Sequence, residues 1–158
     1  MTKRYNLYLG KAGHFHVMAE FLCRGWNVAI PEVDVGDDIF VVRDADGEFA
    51  RVQVKTSTGT ARQNGFSAKF SLSIEQLKQE FRPELTYVFL ARWNGKWSRL
   101  LLISRQKLLE HFKLNQIGTA YKDNLTLYFS FQSNQVLCSE TDFTAYLDNF
   151  SNFPLIEH

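Results

Sequence analysis

Hydrophobic positions fall into short blocks along the chain, punctuated by glycine, proline and acidic turns. Across residues 11–24, Phe15, Met18, Ala19 and Leu22 recur at helical spacing, with Trp26 continuing the stripe and Gly25 supplying a stop. That predicts a helix. Residues 27–30 read as a short strand ended by Pro31. Residues 38–43 and 49–56 read as two strands around Asp46-Gly47, a hairpin signal. Residues 66–72 alternate as a further strand, and Ser73 then caps a short helix from Ile74 that Pro83 closes off. A second hairpin, residues 86–93 and 97–104, turns at Asn94-Gly95, and residues 105–112 form a helix. Patterning weakens beyond that point, to a strand near 125–131 and a helix over 140–150. The order α-β-β-β-β-α-β-β-α predicts an α/β fold, a central mixed β-sheet flanked by helices. No repeat or linker divides the chain, so its 158 residues form a single domain.

The first hairpin concentrates the chemistry. If Asp46-Gly47 fills a two-residue turn, Ala45 faces Glu48, Asp38 lies opposite Lys55, and Phe40 lies opposite Gln53. Arg51, Gln53 and Lys55 then share one face with Asp38, while Val52 and Val54 point the other way. A slip of two residues preserves this grouping, and a slip of one breaks it. An aspartate, an amide oxygen and a lysine thus converge at one end of a sheet. Mg²⁺ takes hard oxygen ligands of this kind, and a neighbouring lysine can orient or deprotonate an attacking water. A plain cross-strand ion pair between Asp38 and Lys55 is the structural alternative.

Residues 13–57 resemble the PD-(D/E)XK nuclease superfamily in its QxK variant, the group that includes restriction endonucleases and Holliday-junction resolvases. The resemblance rests on Glu20 in the helix that begins Gly13-His14-Phe15-His16, on the acidic motif Pro31-Glu32-Val33-Asp34-Val35-Gly36-Asp37-Asp38-Ile39, and on Val52-Gln53-Val54-Lys55-Thr56-Ser57. It implies a restriction-endonuclease-like core over residues 11–104, followed by a carboxy-terminal extension over 105–158. It also implies a metal-dependent endonuclease that hydrolyses DNA. Asp38, Gln53 and Glu20, joined by the Val54 carbonyl, would hold Mg²⁺, with Mn²⁺ as substitute, and Lys55 would activate water. No organic cofactor is implied. One departure matters: Gln53 stands where the family usually has an acid, and a neutral oxygen binds a divalent ion more weakly. That substitution keeps open a second reading, a nuclease-fold module that binds nucleic acid or a protein without cutting.

Charge refines the picture. The net charge of +1 excludes a globally basic nucleic-acid binder. Its distribution is uneven: Glu32, Asp34, Asp37, Asp38, Asp44, Asp46 and Glu48 face only Arg43, and the next stretch carries Arg51, Lys55, Arg62 and Lys69 without an acid until Glu75. Residues 56–65 read as a flexible, hydroxyl-rich loop, so Arg51, Thr56, Ser57, Arg62 and Lys69 are candidate phosphate contacts. His14 and His16 lie about 200° apart on a helix, which suits surface or substrate-side roles better than shared metal ligation. Cys23 and Cys138 fit no disulfide or zinc spacing and read as buried free thiols. No apolar run approaches the roughly 20 residues of a membrane span, and no secretory signal opens the sequence, so a cytoplasmic protein is expected. Cutting both strands of a duplex from one site per chain would favour a homodimer.

Overall fold

The computed structural model describes residues 2–158. It opens with α1 (Lys3–Cys23), capped by Thr2, whose hydroxyl accepts the Tyr5 N–H. The helix starts earlier than its apolar spacing suggests, and it buries a different face. Leu9, Gly13, Val17 and Phe21 point inward, whereas Phe15 and Leu22 are 56% and 53% exposed. The reason is steric. A Cβ at Gly13 would overlap the Thr56 methyl, so the row containing this glycine is the one that can approach the sheet closely. Among the described residues no helix is long and apolar enough to cross a membrane.

Then follow β1 (Asn27–Ala29), β2 (Ile39–Arg43), β3 (Glu48–Thr58), β4 (Thr60–Arg62), β5 (Gly65–Ser73), α2 (Ile74–Lys78), β6 (Leu85–Trp93), β7 (Lys96–Trp97), β8 (Leu101–Ser104) and α3 (Arg105–Asn115). The carboxy-terminal part supplies β9 (Thr119–Tyr121), β10 (Asn124–Gln132), β11 (Val136–Cys138) and β12 (Thr141–Asp142). The expected mixed sheet is formed in the order β1-β2-β3-β6-β7, with β8 also paired to β6. Its β3–β6 pair is parallel and the others antiparallel.

The β2–β3 register is shifted by two residues from the expected one. Arg43 pairs with Glu48, and Phe40 with Arg51 rather than Gln53, because the turn has four residues instead of two. Arg43 holds that wider turn by ion pairs to Asp46 and Glu48, while Asp46 also accepts the Glu48 N–H. A two-residue shift leaves the facial grouping intact.

A second sheet, β12-β11-β10-β5-β4 with β9 beside β10, covers part of the other face of the first. Here the expected loop over 56–65 is replaced by strand: β3 runs on to Thr58, and β4 pairs with β5 as a hairpin. The expected helix over 140–150 is also absent. β12 and a single 3₁₀ turn (Thr144–Tyr146) occupy the region, because Asp142 accepts the Thr144 N–H and the Thr144 hydroxyl accepts the Val136 N–H.

Two cores result. Tyr87, Phe89 and Ala91 of β6 pack with Phe70, Leu72, Leu127 and Phe129 between the sheets, closed by Leu108 of α3. On the opposite face, Val52, Val54, Val88 and Leu90 pack under Val17 and Phe21 of α1. Residues beyond 104 belong to both cores: β10 pairs with β5 over nine positions, and Phe150 and Phe153 pack edge-on against Phe21. Cys138 is buried, which pushes its thiol up to about 12; Cys23, contrary to expectation, is exposed.

Candidate active site

The site arises where two strands part. β2 pairs with β3 only as far as Ile39 opposite Val52, and β3 continues with that edge open. At the fork the Asp38 N–H donates to the Val52 carbonyl (2.8 Å). The next outward-facing group on that edge, the Val54 N–H, donates to Asp38 Oδ2 (2.7 Å). The carboxylate thus replaces the missing strand. Since the N–H and C=O of one strand residue point to the same side, the Val54 carbonyl also faces this open edge.

Gln53 and Lys55 project from the neighbouring β3 positions on the opposite face from Val52 and Val54. Parallel pairing sets Gln53 beside Tyr87 and Lys55 beside Phe89. Gln53 is 9% exposed, and its buried Oε1 has no hydrogen-bond partner. Burial raises the Asp38 carboxyl above its ordinary value, against the pull of the Val54 N–H, His14 and Lys55. Burial likewise lowers the Lys55 ammonium, against the charges of Asp38 and Asp34. Asp34 therefore stands within electrostatic reach of both, its own carboxylate accepting the Gly36 N–H.

His14 is the residue that sequence reasoning left out of this group. Its Nε2 lies 3.6 Å from Asp38 Oδ2. Burial, helped by the charge of Lys11, lowers its pKa, while Asp38 and Asp34 oppose the shift. The row that the fold buries, Leu9, Gly13, Val17 and Phe21, places His14 on one flank of the buried face. Glu20 falls on the other flank, about 120° around the helix and roughly 9 Å further along it. That flank also carries His16, whose ring stacks on Trp97 of β7, across the sheet from Asp38. The structure thus brings together Asp38, Gln53, the Val54 backbone, Lys55 and His14, and leaves Glu20 apart from them.

The expected phosphate contacts divide in the same way. Arg51 is committed inside the protein, bonded at 2.6 Å to Asp37, which is 1% exposed. Thr56 turns its methyl toward Gly13. Ser57 and Lys69 line an open groove of about 440 Å³ with Asn6, Leu9, Thr56 and Thr58. Arg62 donates to the Ser67 hydroxyl (2.9 Å) at a second groove of about 500 Å³ that includes Tyr128 and Ser130. Register places Ser67, Lys69 and Ser71 of β5 beside Ser130, Tyr128 and Thr126 of β10 on the outer face of the second sheet. None of these six is acidic.

Among the described residues, no three His, Cys, Asp or Glu side chains cluster as metal ligands. The donor set nevertheless suits a hard divalent ion: one carboxylate, one orphaned amide oxygen and one strand carbonyl, all oxygen. The unsatisfied Gln53 oxygen is the observation that favours this fit, because a buried acceptor without a partner is costly.

No family model matches the chain, and no curated protein matches it either. A search of solved structures finds a bacterial homing endonuclease, I-Ssp6803I, at 14% identity and a TM-score of 0.54, covering 91% of this chain and 87% of the other. The two share a fold, a mixed α/β architecture in which a curled central sheet is flanked by helices.

Proposed function

We propose that this chain is a divalent-metal-dependent endonuclease that hydrolyses DNA phosphodiester bonds, with Asp38, Gln53 and Lys55 as its catalytic set. The observation that carries this reading is the fork between β2 and β3. There Asp38 is fixed by the Val54 N–H beside an unpartnered Gln53 oxygen and a lysine whose charge is disfavoured by burial. The fold shared with a homing endonuclease gives the same reading independent support.

Asp38, Gln53 and the Val54 carbonyl would hold Mg²⁺ or Mn²⁺. When bound, the ion supplies Lewis-acid charge to the scissile phosphate and to its attacking water. Lys55 Nζ orients that water and handles its proton, a task suited to an amine pushed toward its neutral form. His14, whose pKa burial lowers, borders Asp38 on the α1 side and contributes a hydrogen-bonding edge to water or phosphate. Lys69, Arg62 and the hydroxyls of Ser57, Ser67 and Ser71 position the backbone of the nucleic acid. Glu20 is not required by this arrangement.

Cleavage of linear, branched and single-stranded DNA in Mg²⁺ or Mn²⁺ tests the proposal. Lys55→Ala should lower the rate by about 100-fold or more, and Asp38→Ala should abolish Mn²⁺ binding measured by calorimetry. Unchanged cleavage in Lys55→Ala overturns the mechanism. The neutral Gln53 favours one other reading, a module of this fold that binds DNA without cutting it. That reading predicts DNA affinity with no hydrolysis and no Asp38-dependent metal binding.

A further inference from the structure

The structure leaves α1 with a second apolar face that the protein itself does not cover. Tyr5, Tyr8, Ala12, Phe15, Ala19 and Leu22 recur at alternating spacings of three and four, the pattern of a helix–helix seam. Their arc spans about 100° of the helix and lies opposite the buried row Leu9, Gly13, Val17, Phe21. The large members are open to solvent: Tyr5 is 43% exposed, Tyr8 66%, Phe15 56% and Leu22 53%. Both alanines are exposed as well.

We propose that this seam joins two copies of the chain through an antiparallel α1–α1 contact. Antiparallel pairing about the middle of the seam matches residues whose numbers sum to 27: Tyr5 with Leu22, Tyr8 with Ala19, and Ala12 with Phe15. Each large inner residue meets a small one, so the two surfaces interlock. A parallel pair would instead stack tyrosine on tyrosine and alanine on alanine, leaving the helices propped apart. Charge agrees with the same direction. The first turn of α1 contains no acid and the last turn no base, so Arg4 sits at the wrong end of its own helix dipole. In the antiparallel pair it lies near the negative dipole end of the other copy's helix, where the C-cap Arg24 turns its guanidinium onto its own Phe150 ring. The seam itself contains no charged residue.

At about 200 Å² per full side chain, the four large residues offer on the order of 400 Å² per copy. The alanines and the stems of Arg4 and Lys11 bring the pair toward the lower limit of stable interfaces, about 1,200 Å² in total. One consequence rests on the nuclease reading above, although the association does not. Arg4, Lys11 and His14 share the flank of α1 that faces Asp38. The two-fold axis of an antiparallel helix pair puts both such flanks on one side of the dimer. Two sites would then open toward the same DNA duplex, bordered by basic residues from both copies.

Sedimentation equilibrium on the full chain tests the association without DNA or metal, so failure of the cleavage assay and failure of this proposal are separate results. The expected wild-type mass is twice 18.3 kDa. Ala12→Glu, at an exposed position, should halve it while leaving the circular-dichroism spectrum of the folded chain unchanged. Tyr5→Cys should cross-link to the Cys23 of the other copy on mild oxidation, which only the antiparallel arrangement allows. A monomeric wild type, or a dimer that survives Ala12→Glu, overturns the proposal.

Discussion

At Gln53 the chain buries an amide oxygen that no group among the described residues satisfies. A carboxylate there would bind a divalent ion better, but without the ion it would add a second buried negative charge close to Asp38. Gln53→Glu should therefore lower stability in chelator by roughly 2 kcal/mol. Its melting midpoint should also rise more steeply with Mn²⁺ than that of the wild type, as a thermal-shift titration would show. Equal shifts in both proteins would remove Gln53 from the ligand set. His111 offers a separate pH readout, far from this site. It lies between the Tyr146 hydroxyl and Asn115, and burial holds its pKa below the usual histidine value. Between that lowered value and about 6.5 the unfolded chain binds more protons, so stability rises with pH in this window and falls on acidification. In urea unfolding across about pH 5 to 7, His111→Gln should show a shallower slope than the wild type.

Gly13 illustrates the scale of the element, since the distance between α1 and β3 depends on it. Gly13→Ala adds a methyl where the Thr56 methyl already sits, and the expected cost is about 1–3 kcal/mol despite alanine's better helix propensity. Thr56→Ser in the same chain should recover most of that loss; additive effects in a double-mutant cycle would contradict the contact. The same helix shows where sequence reading succeeds and where it stops. Its existence, the α2 helix capped by Ser73 and the strands β2, β3, β5 and β6 are all legible from periodicity and turn residues. Its inward face is not legible, because α1 carries two apolar faces and hydrophobicity favours the one with the larger side chains. The choice depends on a glycine meeting a threonine 43 positions away. Asp38, Gln53 and Lys55 could be grouped because strand alternation tolerates a two-residue shift of register. His14 was set aside because it and His16 point about 200° apart, which says nothing of one histidine acting alone beside Asp38. The strands of the second sheet at residues 60–62, 119–121 and 136–138 are too short for any alternation to show.

For the whole molecule, near-neutral charge means that the proposed DNA binding would depend on a few placed groups. Arg62→Ala with Lys69→Ala should weaken binding to all sequences alike and reduce the salt slope of log K by up to about 2, if each residue meets one phosphate. Fluorescence anisotropy at several salt concentrations measures this, and an unchanged slope would place the DNA elsewhere than the outer face of the second sheet.

The fork between β2 and β3 also bears on how the chain comes to fold. Asp38 reaches the Val54 N–H only in the correct hairpin register, and a one-residue slip would turn Gln53 and Lys55 toward the α1 core. A chain paired out of register would lack the whole constellation at once. If the proposed nuclease activity holds, competence for cleavage would be conditional on correct folding, and a misassembled copy would carry no chemistry that could damage DNA.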